Sequence, residues 1–241
     1  MVNRERIGLT RSLAGFLWLA CLGIAAAWAQ QPDGAAVIQR VDAGAQTRYD
    51  NVLGFTVIEH YVVFRGQTEA KPAAEMTVRT TYQRGSGKSY AVLAQSGSGI
   101  ILRFVLQPLL DGEKNVNVPG NVQHSWFTSA NYEMKLMPGI QQLDGHQCLA
   151  ISVSPRHSAP NMIDGTLWVD AKDDSLVKID GIASKSPSIW TNAPHMMRQY
   201  TSIFGYAMAT HARAESTSAL FGRTVVTIDY NDYKLQLKTG K

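Results

Sequence analysis

Cysteine is scarce in this chain, with two residues, Cys21 and Cys148, in a total of 241. A chain that loses Cys21 with a cleaved N-terminal segment keeps only Cys148, which excludes an intramolecular disulfide. Cys148 lies in an alternating segment, residues 146–153, where a small packed residue is expected rather than a nucleophile. Stability must therefore come from a hydrophobic core.

Charge is also modest. Charged residues make up 17% of the chain and hydrophobic residues 45%, and neither value indicates disorder. The formal net charge is +4, and half of it comes from Arg4, Arg6 and Arg11 against Glu5. The remainder is too weak to indicate nucleic acid or an anionic membrane surface as a partner.

The chain contains fragments of two functional motifs, but neither motif is complete. Residues 85–89 (Gly-Ser-Gly-Lys-Ser) resemble the end of a phosphate-binding loop, but Tyr82 stands where its first glycine belongs and strands flank the segment. Residues 97–99 (Gly-Ser-Gly) lack the spacing of a nucleophile elbow. We therefore expect no enzyme, no catalytic residue and no cofactor.

Metal-ligand patterns are missing as well. Asp170, Asp173, Asp174 and Asp180 lack the spacing and central glycine of a calcium loop. None of the six histidines has a partner at a ligand spacing: His60, His124, His146, His157, His195 and His211. No metal site is expected, although distant residues that converge in the fold stay open as an alternative.

The N-terminus has the three parts of a secretory signal. A basic region is followed by the uncharged, mostly apolar stretch 12–26 and by Ala27-Trp28-Ala29, a small-x-small cleavage site. The apolar run is shorter than the roughly 20 residues that span a bilayer. We predict a signal peptide at residues 1–29, export to the periplasm, and no transmembrane segment after cleavage.

A lipoprotein signal is the alternative reading of the same segment. Ala20-Cys21 could mark acylation at Cys21, but the residues after it stay apolar up to Ala29. We therefore favour cleavage after Ala29 over a lipid anchor at Cys21.

Beyond residue 30 the pattern starts helical and then changes to a period of two. Asp33 caps a predicted helix over 33–49, in which Ile38, Val41 and Ala45 recur at helical spacing. The dense apolar block 100–110 predicts one or two short helices, and 123–131 another. Strands and turn signals fill the rest, about every ten residues, so we predict a single, mainly β domain of nine or ten antiparallel strands over residues 30–241.

Alternation assigns faces to the predicted strands. In residues 55–64 the apolar set shares one face and Glu59 the other, and residues 76–82 alternate more clearly. The candidate residues for an apolar binding groove follow from these faces, with plain core packing as the alternative for each: Ile58, Val62, Phe64, Met76, Val78, Tyr82, Leu149, Ile151, Leu167 and Val169.

Aromatic residues could line an apolar pocket, although ordinary core packing explains them more simply. The set comprises Trp126, Phe127, Trp168, Trp190 and Tyr200.

The second half of the chain resembles the bacterial outer-membrane lipoprotein-sorting family, which has the LolA-type fold. The hairpin Gly-Thr-Leu-Trp-Val-Asp at 165–170, followed by Val-Lys-Ile-Asp-Gly at 177–181, carries most of the resemblance. Further similar segments are 131–132, 143–149, 153–156, 186–188 and 228–233.

This resemblance implies a curved antiparallel sheet, an incomplete barrel, whose concave apolar face is covered by short helices. It also implies a periplasmic carrier for lipoprotein acyl chains or lipid, in which a hydrophobic cavity serves binding and transport. An envelope sensor that binds a protein partner is the alternative function. The family's first strands carry residues for lipoprotein handling that have no matching positions here.

Overall fold

The computed structural model describes residues 32–159, 161–186, 192–219 and 222–239. The predicted signal peptide with Cys21, and Trp190, lie outside the described residues. Residues 31–241 form one compact unit. Within the described ranges, no helix combines the length and the apolar character needed to cross a membrane.

The first element of the described part of the chain is helix α1 (Gly34–Asn51), as predicted. The side chain of Asp33 caps it by accepting a hydrogen bond from the backbone N–H of Ala35 at 3.0 Å. Val37 is the fully buried residue of this helix. Arg48 lies in its last turn, where a cation is favoured by the helix dipole.

Ten strands form one antiparallel sheet in the described part of the chain, in the order β3-β2-β1-β10-β9-β8-β7-β6-β5-β4. This order confirms the predicted mainly β fold with an unclosed barrel, because β3 and β4 end the sheet without pairing to each other. The strands are β1 (Val52–Arg65), β2 (Ala74–Gln83), β3 (Gly87–Gly97), β4 (Tyr132–Leu143), β5 (His146–Pro155), β6 (Ile163–Asp170), β7 (Leu176–Ala183), β8 (His195–Ile203), β9 (Tyr206–Ser218) and β10 (Gly222–Leu237).

Residues 99–116, between β3 and β4, form an irregular helical layer that we call the covering segment. It consists of α2 (Gly99–Ile101), a π-helical stretch (Leu102–Leu106) and α3 (Gln107–Val116). In the π-helical stretch the N–H of Gln107 bonds to the carbonyl of Leu102, five residues back. Pro108 follows and has no N–H to donate, so the helix changes its pattern at this point.

The loop between the covering segment and β4 is less helical than predicted. Only a short 3₁₀ turn (Val122–Ser125) forms within the predicted helix 123–131. Ser129 anchors this loop to α1, because its N–H and its hydroxyl both donate to the carboxylate of Asp42, at 2.9 and 2.5 Å.

Both helical layers lie on the same side of the sheet, which we call the helix-covered face, and each covers a separate apolar cluster. The cluster under the covering segment contains Tyr61, Val63, Ala74, Met76, Val78, Ile101, Leu106, Leu110, Ala212, Val226 and Ile228. The cluster under α1 contains Val37, Tyr132, Leu149, Ile151, Val153, Met162, Ile163, Leu167, Val169 and Ile179.

The face predicted for β1 is wrong. Tyr61 and Val63 are almost completely buried in the cluster under the covering segment, and Glu59, predicted on the opposite side, is only 3% exposed. Strand β1 lies third from the sheet edge, and its outer face also carries apolar side chains, Ile58, Val62 and Phe64, which are partly buried. Both faces are therefore apolar, and alternation alone does not distinguish them.

Pro138-Gly139 is a dipeptide that favours a turn and predicts one after residues 132–137, and this prediction is wrong. Strand β4 continues through these residues, and the pairing with β5 shifts register between Leu136 and Ile140. Gly139 has a φ of 85°, so the proline and glycine produce an irregularity inside an edge strand.

Candidate binding face between the sheet and its helices

Seven of the ten predicted groove residues are buried on the helix-covered face, and they fall into two groups. Met76 and Val78 lie under the covering segment, and Tyr82 is buried near them on β2. The remaining four lie under α1: Leu149, Ile151, Leu167 and Val169. The structure therefore does not join all of the predicted residues into one continuous apolar surface.

The other three predicted residues lie on the outer face of β1. Ile58, Val62 and Phe64 alternate with the buried Tyr61 and Val63, and each is partly exposed. Phe64 is the register partner of Val225 on β10, which is fully buried.

The surface of the described residues has depressions, and two of them are lined by residues other than the predicted groove residues. One, of about 360 Å³, lies where α1 meets the edge strand β4 and is lined by Pro32, Gly34, Ala35, Ile38, Met134, Lys135 and Leu136. The other, of about 350 Å³, is more polar and is lined by Ile182, Asn192, Ala193, His195, Glu215, Ser216 and Thr217.

A group of charged residues lies on the helix-covered face between the two apolar clusters. We call it the polar seam, and its members are Arg48, Glu59, Lys88, Glu113 and Arg198. Glu113 of α3 accepts a hydrogen bond from Lys88 of β3 at 2.8 Å and one from Arg198 of β8 at 3.5 Å. The covering segment is thus linked electrostatically to two distant strands of the sheet.

Burial strengthens these contacts. The side chain of Lys88 is 13% exposed and that of Glu113 30%. The nearby ammonium of Lys88 is the main cause that lowers the pKa of Glu113 from 4.5 to about 2. Glu113 is therefore ionised at neutral pH and holds α3 against the sheet.

Glu59 provides a second carboxyl group to the seam, from the middle of β1. The hydroxyl of Tyr61 donates a hydrogen bond to its Oε2 at 2.5 Å. Burial is the main cause that raises the pKa of Tyr61, and the proximity of Glu59 adds to it. Tyr61 therefore remains a hydrogen-bond donor to this carboxyl group across the physiological range.

Arg48 brings a cation into the seam from the last turn of α1. Its Nη2 contacts the sulfur of Met208 at 3.6 Å, and its Nε is shielded from solvent without a hydrogen-bond partner among the described residues. Burial lowers the pKa of this guanidinium, and the neighbouring groups that act on it are phenols: Tyr82, Tyr200 and Tyr233.

The predicted aromatic pocket does not assemble among the described residues. Trp168 lies on the outer side of the sheet, where its Nε1 donates to Gln141 at 2.8 Å and Lys178 lies over its ring. Trp126 packs instead against Tyr49 of α1, with a ring-centroid distance of 5.2 Å.

Histidine and acidic residues pair on the outer face without forming a metal centre. His146 contacts Asp170 at 2.6 Å and His211 contacts Asp229 at 2.7 Å. Across the described ranges, no three histidine, cysteine or acidic side chains converge in a way that could hold a metal ion. Cys148 is fully buried and has no disulfide partner there, and burial is the main cause that raises the pKa of its thiol.

Sequence reasoning missed the polar seam. Its five residues come from α1, β1, β3, α3 and β8, so no local spacing connects them. The sequence places Lys88 in a turn and Glu113 after the apolar block 100–110, and neither position indicates a buried ion pair.

No protein-family model matches this chain, and no curated protein matches it. Solved structures that are similar to this chain at low identity include proteins from three organisms. The LolA superfamily protein NE2245 from Nitrosomonas europaea is 12% identical, with 84% of this chain and 93% of that chain covered and a TM-score of 0.47. A putative outer membrane lipoprotein-sorting protein domain from Vibrio parahaemolyticus is 11% identical, with coverages of 84% and 92% and a TM-score of 0.46. A DUF1329 family protein from Desulfovibrio piger is 12% identical, with coverages of 86% and 94% and a TM-score of 0.42.

Proposed function

We propose that this protein is a periplasmic binding or carrier protein for an acyl chain, either of a lipid or of a lipoprotein. The observation that supports the proposal is the kind of structure that covers the apolar sheet surface. Over β1, β2, β9 and β10 the apolar surface is roofed by the covering segment, a short and irregular helical layer, and not by a second sheet. A cover of this kind can be displaced while the sheet remains intact.

The inner side of the covering segment occupies the place where a ligand would bind. Ile101, Leu106 and Leu110 are at most 1% exposed and pack on the strands. An acyl chain in their place would restore contact with the same apolar surface, at about 0.8 kcal/mol per buried CH₂. About ten buried methylenes would then offset most of the free energy lost when these three side chains leave the cluster.

Apolar side chains are exposed at the margin between the covering segment and β3. Val92 of β3 is 48% exposed, and Ile100 and Phe104 of the covering segment are 61% and 58% exposed. Polar contacts join β3 to α3 here, among them the hydrogen bond from the Tyr90 hydroxyl to Asp111 at 3.0 Å and the Lys88–Glu113 ion pair at 2.8 Å. We infer that an acyl chain enters at this margin.

The first test is native mass spectrometry of the mature protein, purified from the periplasm without detergent and then extracted with organic solvent. An added mass that extracts as lipid would support the carrier. A bare protein that also fails to bind a fluorescent fatty acid would contradict it.

A matched pair of variants tests the site of binding. Val78→Trp would place a bulky ring where an acyl chain is proposed to bind under the covering segment, whereas Leu149→Trp would place one in the cluster under α1. Among variants that remain folded by circular dichroism, we expect a tenfold or greater loss of fatty-acid affinity for Val78→Trp alone. Equal affinities would contradict the assignment to the covering segment.

A sensor that binds a protein partner is the second candidate, and the free edge of β3 favours it. No strand pairs with the outer side of β3 among the described residues, and Val92 and Leu93 are about half exposed along it. An edge of this kind can accept a strand from another protein. One stoichiometric protein partner and no lipid in a periplasmic pull-down would favour the sensor over the carrier.

A further inference from the structure

The polar seam contains more cations than carboxyl groups. Its cations are Arg48, Lys88 and Arg198, and its carboxyl groups are those of Glu59 and Glu113. Each of the five interacts electrostatically with another member or with a neighbouring tyrosine. Even with both carboxyl groups ionised, the seam carries an excess positive charge. The seam is partly shielded from solvent, with Lys88 13% and Arg198 31% exposed, so an anion beside the excess charge would be stabilising.

The excess is located at Arg48. Lys88 and Arg198 both bind Glu113, at 2.8 and 3.5 Å. Arg48 contacts the sulfur of Met208 through Nη2 and is acted on by three phenols, and its Nε has no acceptor among the described residues. Guanidinium groups in proteins normally bind carboxylate or phosphate through two N–H donors, so this geometry leaves a buried donor available.

The surroundings of Arg48 suit an anionic group attached to an apolar body. The rings of Tyr82, Phe55 and Tyr233 form a row beside it, with centroid distances of 5.2 and 5.8 Å. Phenolic hydroxyls can donate further hydrogen bonds to an anionic oxygen. The apolar cluster under the covering segment adjoins this row through Tyr230, which is packed against that cluster and acted on by Tyr233.

We propose that Arg48 binds the anionic head group of an amphiphilic ligand, a carboxylate or a phosphate, whose acyl chain lies under the covering segment. This inference rests on the proposed function and adds the chemistry of the head group to it. The carboxylate of a fatty acid and the phosphate of a lysophospholipid share the required feature, which is an anionic oxygen beside a long chain.

The test compares ligands that differ in the head group alone. Binding of NBD-labelled stearic acid and of the corresponding NBD-labelled alcohol is measured by fluorescence titration with the wild-type protein. We expect the acid to bind at least tenfold more tightly, which corresponds to about 1.4 kcal/mol. Equal affinities of acid and alcohol would overturn the proposal and leave the carrier function intact, whereas binding of neither would remove both.

Variants then locate the preference. Arg48→Gln should abolish the preference for the acid: its affinity for stearic acid should fall about tenfold, and its affinity for the alcohol should not change. Arg40→Gln is the control, because Arg40 lies on the same helix but is bound to Asp174 outside the seam, and it should retain the preference. If Arg48→Gln retains the preference as well, Arg48 is not the head-group residue. The wild-type comparison stands even if Arg48→Gln fails to fold.

A third probe separates the two sources of the anion. NBD-labelled lysophosphatidic acid is titrated beside the stearic acid at the same pH. Tighter binding of the phosphate would identify a phospholipid head group, and tighter binding of the carboxylate a free fatty acid. Both results support an anionic site at Arg48, provided that the affinity falls in Arg48→Gln.

Discussion

Lys88 and Glu113 are 25 residues apart in sequence, and their side chains form an ion pair of 2.8 Å that joins the edge strand β3 to helix α3. The pair is mostly shielded from solvent, so it is less screened than a surface pair. It connects the two elements between which we expect a ligand to enter. Its strength should therefore influence both the stability of the protein and the mobility of the covering segment.

Neutralising this pair should destabilise the protein. For Glu113→Gln we expect the free energy of unfolding to fall by about 1 kcal/mol, a value reduced for the partial exposure of both partners. The matched control is Glu133→Gln, because the Glu133 side chain is 76% exposed and lies 3.6 Å from Arg156. Urea denaturation should show a change within about 0.5 kcal/mol for the control. Equal effects of the two substitutions would contradict a structural role for the Lys88–Glu113 pair.

Acid should weaken the same contact. The pKa of Glu113 is lowered from 4.5 to about 2, mainly by Lys88, and that of Glu69 to about 2, mainly by hydrogen bonds from Arg213. Because the folded state binds protons less readily than the unfolded state, the stabilisation is complete above pH 4.5 and is lost as the pH falls towards 2.

Urea midpoints measured from pH 5 down to pH 2 check this dependence. The midpoint should fall with pH in the wild type, and less steeply in Glu113→Gln and in Glu69→Gln. A slope that neither substitution changes would show that other carboxyl groups dominate the acid response.

Substitutions on the buried side of the covering segment should lower the free energy of unfolding more than substitutions on its exposed side. Leu106 is completely buried in the cluster beneath it, whereas Phe104 is 58% exposed. Leu106→Ala should lower the free energy of unfolding by about 2 to 5 kcal/mol, and Phe104→Ala by less than about 0.5 kcal/mol. Thermal denaturation measures both. A larger loss for Phe104→Ala would mean that the segment packs through its other side.

The strands could be predicted from the sequence because alternation and turn residues are local signals. Strands β6 and β7 and the start of α1 at Asp33 illustrate this, since each depends on residues that are close in the chain. The burial of β1 could not be predicted in this way. Tyr61 and Val63 are buried by Ile101, Leu106 and Leu110 of the covering segment, which lie far along the chain, so no local pattern in β1 reveals them.

The same argument applies to the candidate site. Met76 and Val78 were identified because β2 has one clearly apolar face. Arg48 and Arg198 were missed, since their significance depends on what the fold places around them. Charged residues in a helix end or a strand are usually solvated, and the sequence contains no sign that these two face the interior.

The corrected face of β1 has a direct test. Val63 is completely buried under the covering segment, and Val62 is partly exposed on the outer face. Val63→Ala should lower the free energy of unfolding by about 2 kcal/mol, from two lost methylene equivalents and the cavity that remains. Val62→Ala should cost less than half as much in urea denaturation. The reverse order would restore the face that alternation predicted.

The hydrogen bond between Tyr61 and Glu59 should matter more than its single hydroxyl suggests. Tyr61→Phe removes the donor to Oε2 of Glu59, and that carboxyl group, which is 3% exposed, has no easy access to water as a substitute. A buried acceptor left without its donor costs about 1 to 3 kcal/mol. Tyr90→Phe is the matched control, because the Tyr90 hydroxyl donates at 3.0 Å to the exposed Asp111, which water can solvate instead. We expect the control to change the free energy of unfolding by less than about 1 kcal/mol. If the two substitutions have equal effects in urea denaturation, Glu59 is satisfied by another group, and the charge balance on which the head-group proposal depends must be revised.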